Sequence, residues 1–447
     1  MPKAFWFRKD LRLADHPALH ELISSPTGAV VFATADQVGQ PFNELSQIRQ
    51  DSLTSSWYHL NQKLNGDLIV LKSPGDIVPF CREFGISEVT ATQVFDTNGL
   101  RETSAVASDL AIADISLKLH WSNYAVNPGK ILKNDGTPYK VFTPFYRAWS
   151  SFPKANAYIF EGRPNTIKID DDLGVATIQI PEKASVVAGE DYAMQTLQRF
   201  TNFREGNYDW QRDRADIGGT SHLSHALSHG EIHPRTILQA LGDSTGSEIF
   251  AKELAWREFY ADVLYNNQDS LNGYLDPRFT QMAYSTNESD FDRWKSGNTG
   301  FPMVDAGMRQ LLATGWMHNR VRMIVASFLV KDLHIEWTWG AKWFEENLSD
   351  FDPASNSHGW QWTAGCGTDA SPYFRVFNPI SQGLKFDPNG EYVRKYIPEL
   401  KHLAGAKAHE PWLDAHGYSY GYVRQMVDHA AERLESLKRY ESIKNQR

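Results

Sequence analysis

Over the first 125 residues, short apolar runs alternate with stretches whose apolar positions recur every three to five residues. Ala4–Phe7, Ala29–Ala33, Leu68–Lys72, Glu88–Thr92 and Leu117–Trp121 are the runs, and they predict buried strands. Between them Ile48, Leu53, Trp57, Leu60 and Leu64 fall on one helical face. Strand–helix alternation predicts a parallel sheet covered by helices, an α/β fold. From residue 126 to 195 the pattern is lost. Pro128, Pro138, Pro144, Pro153, Pro164 and Pro181 predict a long connector on the surface, and the acidic run Asp170–Asp172 a solvated loop rather than a metal site. Residues 196–447 show helical spacing. Helices are expected over Ser247–Leu264, Pro302–Ala313 and Trp316–Leu333, the last two separated by Thr314-Gly315, with Tyr422–Ile443 as an amphipathic closing helix. No tandem repeat interrupts this two-part organisation.

Composition narrows the class. A chain of 447 residues exceeds the usual size of one core, so two or more domains are expected. With 41% hydrophobic and 22% charged residues it is globular rather than disordered. It has no apolar run long enough to span a membrane, and Met1 to Asp10 are too charged for a secretory signal. Cys81 and Cys366 are too few for a disulfide framework or a cysteine-based zinc site. A soluble, cytoplasmic and monomeric protein without membrane partners is the expectation. The net charge is −9, divided as −3 over residues 1–200 and −6 over 201–447. Neither part is a general nucleic-acid coat, so DNA would have to be held in a local groove.

The candidate chemistry lies in the second part. The first strand runs into Arg8-Lys9-Asp10 and lacks G-x-G-x-x-G, and no P-loop occurs anywhere, which excludes the ordinary dinucleotide and nucleotide fingerprints. His229-Gly-Glu-Ile-His233 has H-x-E-x-H spacing, not that of a zinc protease, and is expected to be structural. Of 14 tryptophans nine follow residue 250, with Trp337, Trp339, Trp360 and Trp362 close together: rings to fill a core, stack on a planar cofactor or bases, or carry electrons. Glu253, Trp256 and Arg257 share a helix face, either as a buried polar cluster or as the wall of a site. Trp316, Asn319 and Met323 share another, and Arg322 has a potential partner in Asp350. Thr220-Ser221-His222-Leu223-Ser224 follows Gly218-Gly219 as a loop entering a helix, a possible phosphate cradle.

Several motifs occur together and in order. Trp6-Phe7-Arg8-Lys9-Asp10-Leu11-Arg12-Leu13, Glu253-Leu-Ala-Trp-Arg-Glu-Phe-Tyr260, Gly315-Trp-Met-His-Asn-Arg-Val-Arg322, Gly359-Trp-Gln-Trp362 and Pro372-Tyr-Phe-Arg-Val-Phe-Asn-Pro379 span nearly the whole chain. In these the chain resembles the photolyase/cryptochrome family, and within it the class I cyclobutane pyrimidine dimer (CPD) photolyases. The resemblance implies an N-terminal Rossmann-like α/β antenna domain (1–125), a connector (126–195) and an all-α C-terminal FAD-binding and repair domain (196–447). It implies light-driven repair of UV-damaged DNA, with an electron passing from reduced FAD to a pyrimidine dimer flipped out of the stack, since a dimer inside the duplex is out of reach.

Carried over residue by residue, the resemblance places Tyr208, Thr220, Ser221, Leu223 and Ser224 against FAD, Trp316 on the pocket wall, and Arg322 and Asp350 as a salt bridge under the flavin. Asp352 becomes a flavin or ribose contact and Asn356 the amide at the reactive flavin edge. Asn319 lies near adenine and lesion; Glu253 hydrogen-bonds the pyrimidines; Trp256 and Trp362 wedge the dimer; Arg212 and Arg320 contact phosphate or lesion. Trp360 and Trp337 match the first two members of the photoreduction relay, and Tyr284 stands where the family usually has a third tryptophan, with Trp339 and Trp294 as alternatives. Other departures are Phe250 for a flavin-side Trp, His222 for Arg, and Ser357-His358 before Gly359. Asn98-Gly99 replaces the Asn-Glu pair of folate-type antenna sites; the resemblance leaves open a second chromophore of folate, deazaflavin or flavin type, or none, with the missing pair counting against the folate. A cryptochrome-type photoreceptor is the rival reading, but the chain has no long tail after Asn378-Pro379. A (6-4) photolyase resembles His-x-x-x-His where this chain has Asn319 and Met323.

Overall fold

The computed structural model describes residues 1–36, 40–169, 174–369 and 374–444; the acidic run Asp170–Asp172 and the pair Pro372-Tyr373 lie outside them. The chain packs as two compact units. One comprises Met1–Tyr139, Thr143–Gly206 and Ser221–Gln268; the other comprises Lys140–Phe142, Asn207–Thr220 and Asp269–Arg447. This division differs from the spans suggested by periodicity, because helical segments 190–203 and 221–266 belong with the sheet.

The first unit is built on five parallel strands, β1 (Lys3–Phe7), β2 (Ala29–Thr34), β3 (Leu68–Leu71), β4 (Glu88–Thr92) and β5 (Ser116–His120), in the order β3-β2-β1-β4-β5. All five strands lie within one residue of the predicted runs. The two-residue period of β1 explains its burial on both faces. Phe5 and Phe7 pack with Leu53, Trp57 and Leu60 of helix α2 (Gln47–Lys63) and with α1 (Pro17–Ile23). Ala4 and Trp6 pack with Phe80 of α3 (Ile77–Glu83) and Val106 of α4 (Thr97–Ile112). At the carboxyl ends of β1 and β4, where strand order reverses, the Arg8 guanidinium reaches Glu102 at 2.5 Å and Thr103 at 2.9 Å. Beside it buried Asp10 takes His16 at 2.8 Å and the Thr92 hydroxyl at 2.5 Å. Gly99 opens α4 behind the Asp96 cap, and a Cβ there would fall 2.5 Å from Val94 Cγ2, so no larger side chain fits without movement.

The connector is less irregular than expected. It holds α5 (Phe142–Ser151), in which Pro144 sits in the first turn, where a missing N–H costs nothing. Phe145 and Trp149 are buried rather than on the surface. Helix α6 (Glu190–Phe203) follows; α8 (Ser224–His229), α9 (Pro234–Ala240) and α10 (Thr245–Asn266) complete the unit.

The second unit contains α7 (Tyr208–Gln211), α11 (Glu288–Lys295), α12 (Pro302–Thr314), α13 (Asn319–Lys331), α14 (Trp337–Asn347), α15 (Pro353–Ala364), α16 (Pro379–Phe386), α17 (Glu391–Tyr396) and α18 (His429–Lys444). Its core joins Val321, Ile324, Val325, Phe328 and Leu329 of α13 to Trp294, Trp337, Phe344 and Trp360. The predicted closing helix starts later than Tyr422. The Tyr422 hydroxyl donates to buried Asp305 at 2.6 Å, the Met426 N–H bonds Thr299, and Asp428 caps α18 by accepting from Ala430 at 2.8 Å.

Candidate active site

In the sheet-bearing unit, α10 carries the candidate residues Glu253 and Trp256. Ser244 caps it by accepting from the Ser247 N–H at 3.0 Å. Glu253 and Trp256 are half-buried on it, and the Trp256 ring lies 5.7 Å from Phe259 and 5.5 Å from Tyr260. Arg257 is half-buried on the same helix. Its guanidinium donates to the Asn123 carbonyl at 3.0 Å and the Leu227 carbonyl at 3.3 Å, and covers the Tyr124 ring. The next residue was missed by motif reading. Buried Glu258 accepts from Ala125 N–H at 2.6 Å, Val126 N–H at 3.0 Å and Trp149 Nε1 at 2.6 Å. One turn on, Asp262 accepts from Gly129 N–H at 2.7 Å, and burial pushes its carboxyl up to about 6. These three side chains clamp α10 to segment 123–129 and so set the direction in which Glu253 and Trp256 project.

The Ser221–Ser224 stretch enters α8 as expected, and that helix is only six residues long. His222 holds φ at 57°, a left-handed turn unusual for a residue with a Cβ, and the Ser221 hydroxyl accepts from Leu223 N–H at 3.3 Å. The H-x-E-x-H stretch is structural: buried Glu231 accepts from the Ser56 hydroxyl at 2.6 Å and Gly189 N–H at 2.8 Å, and His233 caps α9. Among the described residues no group of His, Cys, Asp and Glu is arranged for a metal ion.

In the helical unit, Asn319 is the first residue of α13 and is exposed, whereas Trp316 precedes the helix rather than sharing its face. His318 takes the cap and accepts from Arg320 N–H at 3.2 Å, which starts the helix after Trp316. Arg322 and Asp350 pair at 2.7 Å, as expected, while Arg322 Nε also donates to the Met317 carbonyl. Asp350 is buried, and its second oxygen Oδ1 has no hydrogen-bond partner among the described residues. A buried acceptor in that condition is costly unless a bound group supplies a donor. Arg320 pairs with Asp213 at 2.8 Å and lies over Phe386; Arg212 lies 5.7 Å over the ring of buried Tyr208, whose segment ends at Thr220.

The Ser/Asn/Gly-rich stretch after Asp352 is helical. Asp352 caps α15 by accepting from Ser355 N–H at 2.7 Å, and Pro353 takes the first helical position. Asn356, Trp360 and Trp362 therefore stand on one rigid element. The Asn356 amide donates to the Ala341 carbonyl of α14 at 3.0 Å. Burial pushes neighbouring His358 down to about 4. Buried Gln361, between the two tryptophans, donates to the Ser270 carbonyl at 2.8 Å and accepts from Leu275 N–H at 3.0 Å. Trp360 packs 5.0 Å from Phe344 and 6.2 Å from Trp294. Its ring lies over Gly340 of α14, one helical turn after Trp337.

The comparisons with known proteins bear on both units. The family described as DNA photolyase matches residues 3–160, and the FAD binding domain of DNA photolyase matches residues 250–442. A deoxyribodipyrimidine photo-lyase of Alkalihalophilus pseudofirmus is 37% identical, over 97% of each chain. This chain belongs to the DNA photolyase family. Among solved photolyases, a bacterial class III enzyme from Agrobacterium tumefaciens superposes with a TM-score of 0.89 at 31% identity, covering 100% of this chain and 98% of its own. An archaeal photolyase from Sulfolobus tokodaii, solved with two FAD molecules, gives 0.85 at 26% identity, covering 99% and 100%. The α/β sheet and the helical FAD-binding region of this photolyase are thus those expected from sequence. The unpartnered Asp350 oxygen and its Arg322 partner fit the FAD that the family binds.

Proposed function

We propose that this chain is a light-driven DNA repair enzyme that splits cyclobutane pyrimidine dimers. The observation that carries this reading is 37% identity over 97% of the chain with a deoxyribodipyrimidine photo-lyase, joined to a buried Asp350 that offers an acceptor to a ligand. FAD, when bound and fully reduced, supplies on blue-light excitation the electron that opens the cyclobutane ring.

The chain's own residues hold and tune. Tyr208, Thr220, Ser221, Leu223, Ser224, Trp316, Arg322, Asp350 and Asp352 bind the cofactor. Asn356, fixed on α15, presents an amide to the flavin edge, and an amide both donates and accepts. The Glu253 carboxyl hydrogen-bonds the pyrimidines as charge develops on them. Trp256 and Trp362 offer rings to a flipped dimer, Asn319 a polar contact, and Arg212 and Arg320 charge to phosphate. Trp360, Trp337 and Tyr284 refill the flavin when it is oxidised. A second chromophore, of folate, deazaflavin or flavin type, serves the α/β unit. The enzyme works as a monomer in the cytoplasm; Cys81 and Cys366 are both free and buried, which suits a reducing compartment. Among the described residues no helix is long and apolar enough to cross a membrane.

The test is to illuminate dimer-containing and undamaged DNA with chemically reduced enzyme and follow dimer loss against a dark control. Light-dependent dimer loss is expected; its absence with FAD bound overturns the reading.

A further inference from the structure

The aromatic contacts beyond Trp337 lead to a residue that no motif singled out. The Tyr274 ring meets Trp337 edge-on, with centroids 6.1 Å apart and planes at 84°. Its other neighbour is Tyr284, stacked at 6.5 Å and 16°. Tyr274 therefore stands in the aromatic series next to Trp337, ahead of the position that sequence comparison assigns to the last donor. Its hydroxyl donates to Glu336 Oε1 at 2.6 Å. Glu336 immediately precedes Trp337 at the start of α14, so one turn of chain presents both the indole and the carboxylate to the same phenol.

The placement of this phenol is fixed by several bonds. The Ser357 hydroxyl donates to the Leu271 carbonyl at 2.6 Å, and Gln361 holds Ser270 and Leu275. The segment carrying Tyr274 is thereby fastened to α15 on both sides of Trp360. Removing an electron from a phenol makes it a strong acid, so its oxidation is easy only where a base can take the proton at once. Burial and the adjacent carboxylate push the Tyr274 phenol well above its usual range, which keeps it protonated until it is oxidised.

We propose that Tyr274 and Glu336 together form a proton-coupled electron donor to Trp337. The inference rests on the reading of Trp360 and Trp337 as the photoreduction relay. Once the relay has left Trp337 oxidised by one electron, one electron passes from Tyr274 to Trp337. The phenolic O–H bond breaks and its proton forms an O–H bond on Glu336 Oε1. The products are neutral Trp337, a neutral tyrosyl radical and a protonated Glu336 carboxyl. Return of the electron requires return of the proton, which prolongs the separated state. An external thiol resets the pair by supplying one electron to the radical, while Glu336 gives the proton back.

The test uses the full-length, FAD-loaded protein and reads radical identity by electron paramagnetic resonance and transient absorption after illumination. Wild type should give a neutral tyrosyl radical that forms more slowly in deuterated water. The signal should be lost in Tyr274→Phe and in Glu336→Gln, which keeps a hydrogen-bond acceptor but cannot take the proton, and retained in Tyr284→Phe. Glu336→Gln also decides the matter if Tyr274→Phe folds poorly. A tyrosyl signal surviving in Glu336→Gln or lost in Tyr284→Phe overturns the assignment. Tryptophanyl radicals alone in wild type leave the relay standing and overturn the assignment of Tyr274. Radicals undiminished in Trp360→Phe overturn the relay reading and this inference with it.

Discussion

Gly340→Ala tests whether the packing of α14 against Trp360 sets up the relay. A Cβ at position 340 would collide with Cη2 of Trp360, and it would lie 2.7 Å from Cζ2 and 2.6 Å from Leu329 Cδ2. Carbon atoms rest at about 3.5–4.0 Å, so the ring or the helix must give way by about 1 Å or more. Neither has room to do so, because Trp360 is 3% exposed and packed against Phe344 and Trp294. Overpacking of this kind costs about 1–3 kcal/mol. At roughly 2–4 °C per kcal/mol for domains of 150–250 residues, a fall in Tm of several degrees is expected. Photoreduction of oxidised FAD should slow, while repair by chemically reduced enzyme is spared. Gly307→Ala is the control. Its Cβ would meet Val321 Cγ1 at 2.5 Å, which strains the α12–α13 contact without touching Trp360. Thermal unfolding and the absorbance course under illumination, recorded for both variants, separate the two effects. The reasoning is refuted if Gly340→Ala photoreduces like wild type, or if Gly307→Ala slows photoreduction equally.

Trp360→Phe should block photoreduction yet leave repair by pre-reduced enzyme intact, as read from flavin absorbance and dimer loss; unchanged photoreduction removes Trp360 from the relay. Glu253→Ala should lower repair yield while FAD content stays normal, since the carboxyl acts on charge that develops during the reaction; a wild-type yield would rule out that role. Asn356→Asp removes the donor to the Ala341 carbonyl and puts negative charge at the position proposed to face the flavin edge, so the potential for full reduction should fall, measured by spectroelectrochemistry. Asp262→Asn concerns pH. The Asp262 carboxyl is raised from 3.8 to about 6 in the fold, so the folded state binds the proton more tightly than the unfolded one, and stability is lost as pH rises from about 4 through 6. Asn carries no such penalty, and its stability relative to wild type should improve by about 2–3 kcal/mol between pH 4 and 7. A flat difference in Tm across that range would contradict the assignment.

The sheet was legible because its signal is local. Five short apolar runs separated by a helical period leave few alternatives to parallel strands, and the structure places every strand within one residue of its run. The Arg322–Asp350 pair and the start of α8 were readable for a similar reason, since residue type and short spacing carried them. Where local and tertiary signals compete, the sequence misled. Prolines suggested a long surface connector, but Pro144 sits in the first turn of α5, where it is tolerated, and Phe145 and Trp149 of that helix are buried. The stretch after Asp352 is rich in Ser, Asn and Gly, yet the Asp352 cap and the Asn356 bond to α14 make it helix, and this fixes Asn356, Trp360 and Trp362 on one element. Glu258, Asp262 and Gln361 could not have been found from spacing. Their partners are backbone groups about 90 to 130 residues away in sequence, and a backbone N–H or carbonyl is the same at every position. Tyr274 was hidden likewise, because its significance lies in Trp337 and Glu336, some 60 residues on. The sequence by itself determined the parallel strands and the family. Only the tertiary structure decided which buried polar groups found partners, since burial makes an unpaired group costly and long-range contact decides what is buried.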